Sequence, residues 1–283
     1  MPLSLILYLD TSQAPPPGYL GREAQAWFLS QLQEIDPQLS AGLHDTAGHK
    51  PYTVSDVFAL PDSHNGQPCF ALRITAFEAR LEELITGRLL KQLPDRVRIW
   101  YVHFRLCGYT LSPAETPWAR QDRFGQLVQQ SQAAGLGPIG MQFISPTGFR
   151  SEGNDILFPI PSHVYRGYWQ KWNAFAPEPL HIDAKFLDFV QQHVLVSSID
   201  ELTTQRIVFA RGKRGGATGF LGEVSFTLAP HDHQVEGSTA WNTYVEQLKV
   251  LTFFAFYCGT GHHTTIGLGQ TYPHLSTGGP RQS

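Results

Sequence analysis

The chain opens on the apolar run L-S-L-I-L-Y-L, Leu3–Leu9, which predicts a strand, and the P-P-P-G after it predicts a stiff connection. Leu20, Ala24, Trp27, Phe28, Leu32 and Ile35 then fall on one helical stripe, and Asp36-Pro37 ends that helix and can start a short second one. Two extended runs, Tyr52–Leu60 and Cys69–Phe77, flank D-S-H-N-G-Q-P, a hairpin-like turn. A helix over Glu78–Gln92 and a long strand over Val97–Thr110 complete the order β-α-β-β-α-β.

After the polar stretch Ser112–Pro117 the pattern repeats in kind. Phe124–Gln132 and Met141–Ser145 read as strands, Val164–Phe175 as a helix, and Leu195–Ser198 as the start of a connection. Arg206–Ala210 and Gly219–Leu228 read as strands around a basic, Gly-rich turn, Ala240–Tyr257 as the last helix, and a short strand ends the set. The expectation is an α+β protein of tandem ferredoxin-like (βαββαβ) domains, 1–112 and 113–283, with a C-terminal Gly-rich loop.

At 283 residues and 42% apolar content the chain can build two packed cores. No apolar run reaches the length of a membrane span, and M-P-L-S-L-I-L-Y-L-D lacks a basic leader region, so a cytoplasmic protein with no membrane partner is expected. Cys69, Cys107 and Cys258 are too scattered for a disulfide framework or a metal knuckle, and are expected in cores. The net charge of −3 argues against indiscriminate nucleic-acid binding, but the cations are clustered. Arg88, Lys91, Arg96, Arg98 and Arg105 face only Asp95, and Arg206, Arg211, Lys213 and Arg214 face only Glu223.

Near the C-terminus F-Y-C-G-T-G-H-H-T-T-I-G-L-G-Q-T, Phe256–Thr271, carries Gly259, Gly261, Gly267 and Gly269. Glycine lets backbone N–H groups approach an anion. A Walker loop requires G-x-x-x-x-G-K-[ST], and a dinucleotide loop requires a strand before it and a helix after it. Here a helix precedes the glycines and a short extended segment follows, so the loop closes a domain.

Three segments, L-H-D-T-A-G-H-K-P-Y-T-V-S (Leu43–Ser55), M-Q-F-I-S-P-T-G-F-R through W-Q-K-W-N-A-F (Met141–Phe175) and the terminal glycine loop, occur in order across nearly the whole chain. Together they resemble the CRISPR-associated pre-crRNA endoribonucleases of the RAMP superfamily. The resemblance implies paired ferredoxin-like domains that hold a CRISPR repeat transcript and cut it without a metal or other cofactor, leaving a 2′,3′-cyclic phosphate and a 5′-hydroxyl. It implies pre-crRNA as partner, with a CRISPR effector complex as a further one, in a monomer or homodimer. RNA contacts are expected from Arg211, Lys213 and Arg214 in the basic turn, and from Gly259, Gly261, His262, His263, Gly267 and Gly269 in the loop.

Metal-free RNA cleavage needs a base near the ribose 2′-OH, a cation near the phosphate and an acid near the departing oxygen. The resemblance assigns His44 to the histidine role, with Lys50 on the phosphorane charge and Tyr52 hydrogen-bonding nearby. His49, at the entrance of the next strand, is a rival. Several relatives carry tyrosine or arginine on the first helix where this chain has Leu29, leaving Tyr19, Arg22, Tyr52 and His49 open for the third role. The plainer alternatives are a helix-end histidine and a solvated lysine.

His231-Asp232-His233 has no evident third metal ligand and reads as a solvated turn. Leu251, Phe254 and Phe256 read as core, and Trp169 and Trp172 as helix anchors. Two other functions stay open. His44-Asp45-Thr46 and His263-Thr264-Thr265 fit the H-x-T pattern of two-histidine cyclic phosphoesterases, although both lie in polar settings rather than apolar strands. A RAMP subunit that binds RNA without cutting it is the other.

Overall fold

In β1 (Leu3–Asp10) alternate residues point to opposite faces of a sheet. Leu3, Leu5, Leu7 and Leu9 enter the larger core, while Ile6, with Tyr8 beside it, packs against Ala71 and Ala119 on the other face. The computed structural model describes residues 1–11, 18–45, 48–60, 69–135, 137–209, 215–229 and 238–275, the side chains of His44 and Asp45 excepted. These residues gather into two compact units. Unit 1 holds Met1–Asp122 with Arg206–Ala217 and His263–Leu268, and unit 2 holds Arg123–Gln205, Thr218–His262 and Gly269–Ser283.

In unit 1, β1 leads to α1 (Gly21–Ile35) and α2 (Pro37–Asp45), then β2 (Tyr52–Ala59), β3 (Cys69–Ala76), α3 (Ala79–Gly87), β4 (Arg96–Ile99), β5 (Val102–Thr110) and the short β6 (Arg120–Gln121). The sheet order is β2-β3-β1-β5-β4, with β6 on β1, so β1 lies between its sequence-distant partners as in a ferredoxin-like sheet. Helix α1 buries Ala24, Trp27, Phe28 and Leu32. Burying side chains the size of Phe28 and Leu32 stabilises by roughly 1.5–3 kcal/mol each.

The expected long strand over 97–110 is instead the hairpin β4–β5, in which Ile99 pairs with Val102 around a turn at Trp100 and Tyr101. Neither aromatic is a turn former, which hid the reversal.

Unit 2 holds α4 (Phe124–Ala133), β7 (Ile139–Thr147), the small hairpin β8 (Phe149–Ser151) and β9 (Asn154–Ile156), α5 (Pro161–Phe175), α6 (Lys185–His193), β10 (Val194–Val208) as far as Gln205, β11 (Gly216–Leu228) from Thr218, α7 (Thr239–Cys258) and β12 (Thr271–Leu275). Its sheet order, β10-β11-β7-β12, repeats the ferredoxin-like arrangement.

The strand expected over Phe124–Gln132 is the helix α4. Phe124, Leu127 and Ser131 bury one helical face, and the Gln126 side chain accepts a hydrogen bond from the Arg123 N–H at its start, 2.6 Å. The connection expected from Leu195 is the 15-residue strand β10, and α6 and the β8–β9 hairpin are additional. Cys69 and Cys258 are buried, whereas Cys107 is exposed and not in a core.

Leu251, Phe254 and Phe256 are buried, as expected. The indole N–H groups of Trp169 and Trp172 donate to the Ile182 and Leu180 carbonyls, each at 2.7 Å, and anchor α5 to the segment after it. No helix of the described residues is long and apolar enough to cross a membrane.

Candidate functional site

A cleft of about 590 Å³ opens in unit 1 between α1, α2 and the start of β2, lined in part by Gln25, Leu29, Ser30, Leu43, Lys50 and Tyr52. Its walls follow from local chemistry. Asp36 halts α1 and accepts from the Leu39 N–H at 2.9 Å, capping the start of α2. That bond, and then the Arg80 guanidinium at 2.8 Å, hold the Asp36 carboxyl below its usual range. The Ser40 hydroxyl donates to the Leu29 carbonyl at 3.0 Å, pinning α2 on α1.

Lys50 donates from Nζ to the Leu43 carbonyl at 2.6 Å, at the end of α2. Tyr52 is almost fully buried with its ring against Phe28, and its hydroxyl accepts from Gln25 Nε2 at 2.9 Å. Burial pushes the phenol pKa up, so Tyr52 stays a neutral hydroxyl.

The cleft therefore brings Lys50 and Tyr52 together. His44 follows Leu43 in α2, next to the lysine-bound carbonyl in the chain, and its side chain lies outside the described residues. His49 is exposed just before Lys50. Leu29 does line the cleft, and presents an apolar wall where relatives are expected to carry a polar group.

The other two candidates for the third role have structural partners. The Tyr19 hydroxyl donates to the Gly267 carbonyl at 2.6 Å, and the Arg22 guanidinium sits 3.9 Å above the Phe209 ring centre. Sequence reasoning did not single out Gln25, Ser30 or Ser40, which line the same cleft from helical positions that read as ordinary surface.

The glycine loop serves different contacts in the two units. Gly259 ends α7 and its N–H donates to the Ala255 carbonyl at 2.9 Å. Gly261 has φ +74, and a Cβ there would lie 2.1 Å from the Gly148 oxygen. The N–H of His262 donates to the same Gly148 oxygen at 3.0 Å, and that of Gly269 to the Pro146 oxygen at 3.2 Å. Burial lowers the His262 pKa, which favours the neutral ring.

In unit 1, Gly267 has φ +98 and bridges to Ser55 of β2, and a Cβ would fall 2.8 Å from Tyr19 Cε1 and 2.9 Å from the Asp56 nitrogen. Gly259, Gly267 and Gly269 are buried, Gly261 and His262 are partly buried, and His263 is exposed. Arg211, Lys213, Arg214 and the His231-Asp232-His233 turn lie outside the described residues.

Beside Gly267, the Asp56 carboxylate accepts from the Leu20 N–H at 2.7 Å and so caps α1 from a neighbouring strand. Desolvation pushes its pKa up to about 7, with the charge of Glu23 adding to the shift. Oε2 of Glu23 is itself buried without a hydrogen-bond partner among the described residues.

The family model described as CRISPR-associated endoribonuclease Cas6 matches residues 141–271, and that of the CRISPR Cas6 N-terminal domain matches residues 1–80. A curated relative from Streptococcus thermophilus, named CRISPR-associated endoribonuclease Cas6, is 27% identical over 127 residues, 45% of this chain. That match spans 46% of the relative's length.

Among solved structures, a Thermus thermophilus Cas6 product complex superposes with a TM-score of 0.80 at 24% identity, covering 97% of this chain and 100% of that one. A second Cas6 product complex gives 0.74 at 22% identity, covering 96% and 99%. These structures share the tandem ferredoxin-like fold, and the two family models between them take in most of the sequence, both units included. The chain belongs to the Cas6 family of CRISPR-associated proteins.

Proposed function

We propose that this chain is an endoribonuclease that cuts CRISPR repeat transcripts at the α1–α2–β2 cleft by a metal-independent transesterification. The observation that carries this reading is the Lys50 to Leu43 hydrogen bond, which holds an ammonium group at the end of α2, beside the position of His44, in a cleft that also contains the neutral hydroxyl of Tyr52.

In the reaction the 2′-oxygen of the ribose attacks the adjacent phosphorus, losing its proton to a base. The P–O5′ bond breaks, and the departing oxygen takes a proton. The products are a 2′,3′-cyclic phosphate and a 5′-hydroxyl. His44 supplies proton transfer, Lys50 stabilises the charge that builds on the phosphorane oxygens, and Tyr52 donates a hydrogen bond at the cleft floor. His49 is the substitute if His44 is not the transferring group.

Arg211, Lys213 and Arg214 supply phosphate contacts, and His262 and His263 contact RNA from the glycine loop, whose Gly259, Gly261, Gly267 and Gly269 shape its backbone. The product complexes of the relatives support repeat RNA as the ligand.

The test is cleavage of repeat RNA by purified protein in EDTA. The parental protein cuts, and His44→Ala cuts roughly 10²–10⁴-fold more slowly while still binding RNA. A His44→Ala protein that cuts at the parental rate overturns the assignment of the histidine, and failure of the parental protein to cut in EDTA overturns metal independence. A product with a cyclic end also separates this reading from a two-histidine phosphoesterase, which consumes such ends.

A further inference from the structure

The β4–β5 hairpin has two chemically opposite faces. Val97, Ile99, Val102 and Phe104 are buried on the inner one. The register pairs Arg96 with Arg105 and Arg98 with His103, which places these four exposed residues together on the outer one.

Like charges directly opposite each other in a hairpin destabilise it. Asp10, 3.0 Å from Arg105, offsets only part of that cost. The turn is equally unfavourable as a folding device. Two-residue hairpin turns favour Asn-Gly or Asp-Gly because the backbone must reach positive φ. Here Trp100 occupies φ +58. Its ring lies against that of Tyr101 with centres 4.3 Å apart, and Tyr101 is 45% exposed. Arg98 braces this tip by donating from Nε to the Trp100 carbonyl at 3.0 Å.

Trp100 is partly buried and packs against the core of unit 1, but its backbone is held at positive φ, Tyr101 faces water and Arg96 opposes Arg105, and local rules broken in this way point to a ligand. Guanidinium groups suit phosphates, and exposed aromatic rings suit unpaired bases. We propose that the outer face of the β4–β5 hairpin is a second RNA-binding surface, which tracks the backbone of a single strand with Arg96, Arg98 and Arg105 and stacks its bases on Tyr101. The ligand class rests on the reading of this chain as an RNA-processing protein. The contact is sequence-independent, because neither phosphates nor ring faces encode a base.

The test measures fluorescence anisotropy of a labelled uridine oligomer of about 20 nucleotides, long enough to cross such a surface, over a potassium chloride series. For single strands each lost phosphate contact removes about 0.7 from the slope of log affinity against log salt. The Arg96→Ala/Arg98→Ala protein should therefore bind more weakly with a slope about 1.4 shallower. Arg96→Lys/Arg98→Lys should keep the slope, which excludes collapse of the hairpin as the cause. Tyr101→Ala should weaken binding about tenfold at unchanged slope, through lost stacking.

Cleavage of a minimal repeat at saturating protein should be unaffected in all three variants. Parental affinity and slope in both alanine proteins overturn the inference, and are the result expected if the hairpin docks an acidic protein surface instead. A parental protein that binds the oligomer in this way but cuts no repeat supports the surface and removes only the nuclease reading.

Discussion

Lys50 and the Leu43 carbonyl meet at 2.6 Å, joining the chain just before β2 to the final turn of α2. Helix ends leave carbonyls without intrahelical partners, and a lysine ammonium satisfies one while keeping its charge beside the cleft. Lys50→Ala should lower the cleavage rate constant by about 10²-fold, the range for loss of one transition-state donor. It should also destabilise unit 1 by roughly 1.5–3 kcal/mol through loss of a charged hydrogen bond. Lys50→Arg should recover part of the rate. Single-turnover cleavage at saturating protein, alongside thermal melts, separates the two effects, and a parental rate in a destabilised Lys50→Ala protein would leave the lysine a structural role only.

The glycine loop is fixed by steric demands before any RNA arrives. Gly267→Ala places a methyl 2.8 Å from Tyr19 and 2.9 Å from the Asp56 nitrogen at a backbone angle that L-residues avoid. Thermal stability should fall by about 1–3 kcal/mol, and RNA affinity should fall with it as the loop detaches from β2. Tyr19→Phe, which removes only the hydroxyl bonded to Gly267, should cost about 1 kcal/mol. Equal melting temperatures for Gly267→Ala and the parent would contradict this packing.

Asp56 should make stability pH-dependent with a sign opposite to that of most carboxylates. Its folded pKa of about 7 lies above the ordinary value of 3.8, so the folded state holds the proton more tightly. The resulting stabilisation is fully present below about pH 3.8 and is lost as pH rises through about 7. Asp56→Asn keeps an oxygen for the Leu20 N–H and removes the titration. It should be more stable than the parent at pH 8, by at least the roughly 1.4 kcal/mol that one pKa unit represents, and the gap should narrow toward pH 5. Denaturant unfolding at the two pH values reads this, and a constant gap would show that Asp56 does not titrate in this range.

Much of the fold was legible because the cores are periodic. The apolar run Leu3–Leu9 and the stripe from Leu20 to Ile35 each predict one element, and each forms. The misreadings share a physical cause. In β10 most residues are exposed on both faces, so the strand shows no alternation over the 15 residues it spans. In α4 the buried positions Phe124, Leu127 and Ser131 are diluted by glutamines. The β4–β5 turn uses tryptophan and tyrosine where glycine and asparagine are the usual signal.

At the candidate site, the resemblance of Leu43–Ser55 pointed to Lys50 and Tyr52, and both line one cleft. Gln25 was not, because a glutamine on a helix carries no signal until the fold sets it 2.9 Å from a buried phenol. The glycines were legible as a loop, but their sequence does not reveal that Gly261 and Gly267 face neighbouring backbone as closely as they do.

The central claim is that the nucleophile belongs to the RNA, activated in the cleft that holds Lys50 and Tyr52. The most direct measurement compares two repeat RNAs incubated with the parental protein in EDTA, one with a single 2′-deoxy nucleotide immediately upstream of the cut and one with it several nucleotides away. The account predicts that both bind alike, that the first stays intact, and that the second yields a cyclic phosphate end. Cleavage of the first RNA, or an early product without the cyclic phosphate, would mean that water attacks the phosphorus and would contradict the mechanism.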